Sequence, residues 1–136
     1  MSNPNLIENP IISWVIPCFN EADVIEISIN RIKKVISLMK SKYEHEIIFI
    51  DDGSTDQTRK IIKAIAKIDT RIKLLGLSRN FGHQVALQAG LNFALGSAVI
   101  IIDADLQDPP EMACEMINLW EKGYDVIYGK RERRKS

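Results

Sequence analysis

The chain carries the stretch AVIIIDADLQDPPE at residues 98–111, where an unbroken apolar run stops at three closely spaced carboxylates. An apolar run without alternation is typical of a strand covered on both faces, as in a parallel α/β sheet. Ligands of such sheets collect at the carboxyl ends of the strands. The stretch therefore predicts a buried strand over residues 99–102, followed directly by a binding site at Asp103 and Asp105.

The side chains after this strand also indicate which metal the site would hold. The carboxylates of Asp103 and Asp105 and the side-chain amide of Gln107 all offer hard oxygen ligands. Such ligands suit Mg²⁺ or Mn²⁺ better than zinc or copper. A divalent cation of this class is the predicted cofactor.

The rest of the chain alternates strands with amphipathic helices. Each predicted helix has apolar residues at a spacing of three and four, which marks one buried face. Strand–helix alternation with short connections favours a parallel sheet with right-handed crossovers. We therefore predict an α/β, doubly wound, Rossmann-like fold with helices on both faces of a parallel or mixed sheet. The predicted strands are residues 11–19, 46–50, 71–77, 99–102 and 124–128.

The helix faces and helix starts can be predicted in more detail. Ser54 with Gln57 has the spacing of a capping box, and Asp108 stands before Pro-Pro as the cap of the last helix. The predicted inner faces, in chain order, are Ile25, Ile29, Ile32, Ile36 and Met39; Ile61, Ile62, Ile65 and Ile68; Ala86, Ala89, Gly90, Phe93 and Ala94; and Met112, Met116 and Trp120.

Acidic, amide and glycine positions follow every predicted strand at the same end. Because parallel strands share one rim, five or six carboxylates are expected to converge on one crevice. Like charges that close repel each other unless a cation or hydrogen-bond donors stabilise them, which again favours a bound metal. Simpler roles exist for some of these residues: Asp56 can cap a helix and Gly53 can supply a turn. His83 is a solvated helix-start residue or a ligand contact, and His45 has no assigned role.

Composition limits the class of protein. The chain has 136 residues, 46% hydrophobic and 26% charged, as expected for one globular domain over residues 1–136. Its 18 basic and 18 acidic residues balance, which argues against nucleic acid as the main partner. The two cysteines lack metal-ligand spacing, which predicts reduced thiols. The sequence has no apolar stretch long enough for a membrane span and no signal-peptide pattern, so we expect a soluble cytoplasmic protein.

The two ends of the chain are expected to be flexible, over residues 1–10 and 130–136. The basic run KRERRK at residues 130–135 is open to two interpretations. It is a solvated tail, or it is a segment that contacts anions or a membrane.

Other phosphate-binding folds fit less well. The turn after the first strand reads PCFNE, without the Gly-x-Gly-x-x-Gly fingerprint of dinucleotide-binding folds, and no Walker loop is present. A phospho-acceptor receiver domain also gathers acidic residues at one rim. Its acidic pair follows the first strand, however, whereas here the pairs follow the second and fourth. A phosphate-bearing ligand would therefore be held through metal.

Four motifs in order resemble those of the family 2 glycosyltransferases. They are VIPCFNE at residues 15–21, DDGSTD at 51–56, SRNFGH at 78–83 and DADLQDPPE at 103–111. The chain is most similar to the polyprenyl-phosphate branch, which includes bactoprenol glucosyltransferases and dolichyl-phosphate mannose synthases. The similarity spans residues 11–131 and implies a GT-A glycosyltransferase fold.

The resemblance implies roles for individual residues. Pro17, Glu21 and Asp52 would contact the base and ribose of a nucleotide-sugar, and Gly82 would let the backbone approach the nucleotide. Metal on the diphosphate would be held by Asp103, Asp105 and Gln107, with Asp103 also contacting the nucleotide. Gly129 and Arg131 would lie near the donor and acceptor phosphates, and Asp105 and Arg131 are the implied catalytic residues.

The implied reaction is an inverting transfer of a sugar, glucose in the first instance, from a nucleoside diphosphate to a polyprenyl phosphate. Uridine and guanosine donors both fit. Members of this branch are about twice as long and work at the cytoplasmic face of a membrane. The chain therefore resembles their nucleotide-binding part, and a nucleotide-sugar-binding fragment without turnover is the alternative.

Overall fold

The fold is a four-stranded parallel sheet with helices on both faces, as seen in a computed structural model that describes residues 10–39, 42–105, 107 and 109–123. The sheet order is β3-β2-β1-β4, and every neighbouring pair is parallel. The predicted α/β class is confirmed. In chain order the elements are β1 (Ile11–Cys18), α1 (Ile25–Ser37), β2 (Glu44–Asp51), α2 (Thr58–Ile68), β3 (Ile72–Gly76), α3 (His83–Phe93), β4 (Ala98–Ile101) and α4 (Met112–Glu121).

Alternate residues of β1, β2 and β3 supply two separate cores, because successive side chains point to opposite faces of a sheet. On one face, Trp14 and Phe49 are fully buried beneath α1, α2 and α4. On the other, Val15 and Ile50 pack against Ala86 of α3. This two-sided burial explains the continuous apolar runs of β1 and β2. The prediction of a buried strand over residues 99–102 is wrong in part, because β4 lies at the edge of the described sheet: Ile100 is buried, whereas Val99 and Ile101 are 38% and 45% exposed.

The predicted inner face agrees with the structure in α1 and differs from it in part in α2, α3 and α4. In α1, the four predicted isoleucines are all buried. Ile68 and Phe93, which end α2 and α3, are 88% and 42% exposed, and Met112 at the start of α4 is 37% exposed. Placing these three residues on buried faces was wrong, because the apolar spacing does not show which helix positions the neighbouring elements cover. In α4 the buried residues are Ala113 and Ile117.

The predicted capping box of α2 is also wrong. The hydroxyl of Ser54 donates to the carboxylate of Asp51 and accepts from the Asn20 amide at 2.8 Å. Asp56 takes the capping role instead, since its Oδ1 accepts from the Thr58 amide at 2.9 Å. A contact between two loops therefore overrides the local capping pattern.

Several predicted features lie outside the described residues. They are the strand at 124–128, the cap at Asp108, residues 1–9 and 130–136 of the two ends, and the site residues Gly129 and Arg131. Within the described part of the chain, no helix is long and apolar enough to cross a bilayer. Cys18 is a buried free thiol, and Cys114 is a half-buried one.

Candidate functional site

A cavity of about 220 Å³ opens at the carboxyl ends of β1, β2 and β4. The parallel sheet brings residues that are distant in sequence onto one rim, as the strand pattern predicted. Five of the predicted site residues line this cavity together: Pro17, Glu21, Asp52, Asp103 and Asp105. The other lining residues are Cys18, Phe19, His83 and Ala104.

The loop after β1 is fixed by hydrogen bonds to the loop after β2. Asn20 has a φ of 52°, a conformation that asparagine tolerates better than most residues. Its side-chain oxygen accepts from the Thr55 amide at 2.8 Å, and the Glu21 amide donates to Thr58 Oγ1 at 2.8 Å. These bonds hold the Glu21 backbone at the cavity edge. Sequence reasoning missed the role of Asn20, because it depends on a contact 35 residues away.

Asp52 connects the end of β2 to the start of α3. Its two carboxylate oxygens accept from the Phe81 amide at 2.8 Å and the Gly82 amide at 3.0 Å. The residue is only 4% exposed yet lines the cavity. Asp52 therefore fixes the loop that leads into α3, and with it the position of His83 at the cavity wall.

Asp51 lies away from the cavity although it is the neighbour of Asp52. It is fully buried, and its Oδ2 pairs with Arg59 Nε at 2.6 Å. Asp56 is likewise taken up by the first turn of α2 and by the Ala22 amide. The predicted number of carboxylates at the cavity, five or six, is therefore too high. Among the described residues four line the cavity: Glu21, Asp52, Asp103 and Asp105.

The cavity is strongly anionic. Among the described residues that line it there is no lysine or arginine. Burial raises the pKa of Glu21, and the nearby charges of Asp105, Asp56 and Asp103 raise it further. A bound cation would relieve this repulsion.

The residues present fit a Mg²⁺ or Mn²⁺ ion that takes the rest of its coordination shell from a bound ligand and from water. Across the described residues, no three His, Cys, Asp or Glu side chains come together closely enough to enclose a metal. Mg²⁺ commonly binds through one or two carboxylates plus substrate phosphates and water, and Asp103 and Asp105 can supply those carboxylates. Gln107 is exposed, and its backbone amide donates to Asp105 Oδ1 at 3.1 Å.

Replacing Glu21 with glutamine should stabilise the ligand-free protein at pH 7, by up to about 1 kcal/mol for a partly exposed charge. The folded-state pKa of Glu21 is raised, so the neutral form favours folding. That contribution is lost as pH rises through the folded-state pKa. Urea unfolding should therefore show a higher free energy of unfolding for Glu21→Gln than for the parent chain at pH 7, and this difference should disappear at pH 4. Equal stability at pH 7 would contradict the repulsion, and Glu26→Gln on the exposed side of α1 is the control.

The sequence model of glycosyl transferase family 2 matches residues 13–136. The chain belongs to this family. It is 46% identical over 123 residues to the uncharacterized glycosyltransferase YkcC of Bacillus subtilis strain 168, covering 90% of this chain and 38% of that protein. It is 45% identical over 123 residues to the prophage bactoprenol glucosyl transferase homolog of Escherichia coli K12, covering 90% and 40%. The family predicted from the four motifs is thus confirmed.

Solved structures of GT-A glycosyltransferases share the fold. The mannosyltransferase PcManGT of Pyrobaculum calidifontis, in complex with GDP-Man and Mn²⁺, aligns with a TM-score of 0.61 at 26% identity, over 76% of this chain and 34% of that one. TarS 1–349 of S. aureus, in complex with UDP-GlcNAc, aligns with a TM-score of 0.60 at 26% identity, over 69% and 26%. This family 2 chain spans about two fifths of the length of the curated relatives named above.

Proposed function

We propose that this family 2 chain binds a nucleoside-diphosphate sugar and forms the donor-binding part of an inverting, metal-assisted glycosyltransferase. The observation that carries the proposal is one anionic cavity that collects Pro17, Glu21, Asp52, Asp103 and Asp105 at the strand ends. The relatives named bactoprenol glucosyl transferases support glucose as the sugar and a polyprenyl phosphate as the acceptor.

Asp103 and Asp105 would hold the divalent cation, with the Asp105 carboxylate oriented by the Gln107 amide. When bound, the metal would supply positive charge against the charge that grows on the leaving diphosphate. The Mn²⁺ and GDP-Man in the Pyrobaculum structure support this pairing of metal and nucleotide. Gln107 remains a proposed third ligand through its side-chain amide.

The nucleoside would lie against Pro17, Glu21 and Asp52. Asp52 keeps the 81–82 backbone in place beside it. An added Cβ at Gly82 would meet no atom within 4 Å, so the space in front of this glycine is open. A nucleotide could approach the backbone there.

The proposed reaction requires little proton transfer by the protein. A phosphate oxygen of the acceptor forms a bond to the anomeric carbon while the bond from that carbon to the nucleoside diphosphate breaks, which inverts the configuration. A phosphate monoester has a second pKa near about 6, so it is largely ionised at neutral pH. A general base is therefore not needed. Arg131 is proposed to position this phosphate through paired donors, and Asp105 to act on the donor side.

With a lipid acceptor, the proposed reaction would take place at a membrane surface, and we propose its cytoplasmic face. The alternative is a chain that binds the donor without turnover.

A direct assay separates these functions. The chain is incubated with Mn²⁺, UDP-glucose or GDP-mannose and a short-chain polyprenyl phosphate, and glycolipid and free nucleoside diphosphate are measured. Glycolipid formation supports the transferase, and donor binding without glycolipid supports the binding fragment. Absence of both binding and product would overturn both proposals.

A further inference from the structure

Helix α2 carries positive charge on its solvent side. Its sequence, TRKIIKAIAKI, contains four basic residues and no acidic one. Lys60, Lys63 and Lys67 follow the helical spacing of three and four, so they share one face. All three are exposed, and Ile62 on the opposite side is fully buried.

The three lysines form no ion pair with any other described residue. Lys60, Lys63 and Lys67 also have no side-chain hydrogen bond in the described part of the chain. The other basic residue of α2 behaves differently, since Arg59 pairs with the buried Asp51. The charge of Lys60, Lys63 and Lys67 is therefore available to a partner.

A wide groove of about 750 Å³ extends this basic face toward the loop at residues 77–80. Lys60 and Lys63 line it on one side and Arg79 on the other. The Arg79 guanidinium lies 4.1 Å from the centre of the Phe81 ring, which holds it at the groove edge. The only carboxylate among the described lining residues is Asp56, whose two oxygens already accept bonds from the protein.

We propose that the basic face formed by Lys60, Lys63 and Lys67 of α2, together with Arg79 of the loop after β3, docks on an anionic bilayer surface. The chain as a whole has no net charge, so attraction to an anionic surface requires a local cluster of basic residues such as this one. Lysines near an anionic membrane each strengthen binding about fivefold, and the effect falls off within a Debye length. Ile68, at the end of the same helix, is 88% exposed and adds an apolar side chain that the bilayer interface accepts.

The position of the face matters for the cavity described above. Phe19 is 42% exposed and lines both the anionic cavity and the basic groove. Docking through α2 would therefore hold the cavity mouth beside the membrane surface. The inference depends on the charges of α2 and not on the proposed function, so either can fail without the other.

The test is flotation of the full chain with two kinds of vesicle, phosphatidylcholine alone and phosphatidylcholine with one quarter phosphatidylglycerol, at 50 and 300 mM salt. The variant is the triple substitution Lys60→Gln, Lys63→Gln and Lys67→Gln. The control removes the same charge elsewhere, with Lys34→Gln, Lys42→Gln and Lys122→Gln; Lys42 differs from the α2 lysines in its ion pair with Glu121 at 3.3 Å. Circular dichroism checks that each variant is folded.

The parent chain and the control should bind the anionic vesicles at low salt and not the neutral ones. The α2 variant should lose about 100-fold in partitioning, at about fivefold per lysine. No binding by the parent chain, equal binding by the α2 variant, or an equal loss in the control would overturn the inference. Release by inorganic phosphate at fixed ionic strength, or tighter binding to single-stranded RNA than to vesicles, would assign the face to another anion and also overturn it.

Discussion

Asp105→Asn should weaken Mn²⁺-dependent binding of UDP or GDP by about 30- to 5,000-fold, the loss of about 2–5 kcal/mol typical for one partner of a close charge pair. The substitution keeps the shape of the side chain and an oxygen that can still accept from Gln107, while it removes the negative charge. The cavity would then hold one carboxylate of the Asp103–Asp105 pair in place of two. Asp103→Asn should have an effect of the same kind.

Calorimetry with and without Mn²⁺ measures this prediction. Without metal, Asp105→Asn should bind the nucleotide at least as well as the parent chain does, because it removes a negative charge from the anionic cavity. Asp23→Asn is a suitable control, because Asp23 is exposed and does not line the cavity. If Asp105→Asn kept the full gain in affinity from Mn²⁺, Asp105 would not be a metal ligand.

Gly53→Ala should lower the free energy of unfolding by about 4 kcal/mol, since backbone strain and overpacking each contribute about 1–3 kcal/mol. Gly53 has a φ of 75°. A Cβ there would lie 2.3 Å from the carbonyl carbon of Arg79 and 2.4 Å from the amide nitrogen of Asn80. Because both atoms belong to the backbone, relief requires the loop after β3 to move.

Gly82→Ala is the matched control for the contact with the Arg79 backbone. Gly82 also has a positive φ, of 106°, but an added Cβ would meet no atom within 4 Å. Only the strain should remain, at about 1–3 kcal/mol. Urea unfolding of both variants should show the larger loss for Gly53→Ala, and equal losses would mean that the close approach of the two loops has no energetic consequence.

The sequence predicted the features that depend on periodic patterns. The buried isoleucines of α1 follow from their spacing of three and four, which places them on one face of the helix. The cavity rim follows from the parallel arrangement, since all strand ends meet at one edge. Ile68 and Phe93 have the same spacing but are exposed, because the spacing does not show which helix positions the neighbouring elements cover.

The different roles of the carboxylates could be assigned only from the structure. Asp51 and Asp52 are adjacent in sequence, but Asp51 pairs with Arg59, whereas Asp52 accepts a hydrogen bond from the Phe81 amide in the loop before α3. Which of the two meets an arginine depends on how α2 packs beside β2. The link from Asn20 to the loop after β2 is equally a tertiary contact. The predicted role of Arg131 lies outside the described residues and stays a prediction.

The most direct test is a crystal structure of the chain grown with MnCl₂ and UDP, with anomalous data collected at the manganese edge. The account predicts one manganese peak within bonding distance of carboxylate oxygens of Asp103 and Asp105, with the diphosphate as a further ligand and the nucleoside against Pro17 and Asp52. A nucleotide bound elsewhere, or a manganese peak that neither aspartate contacts, would contradict it.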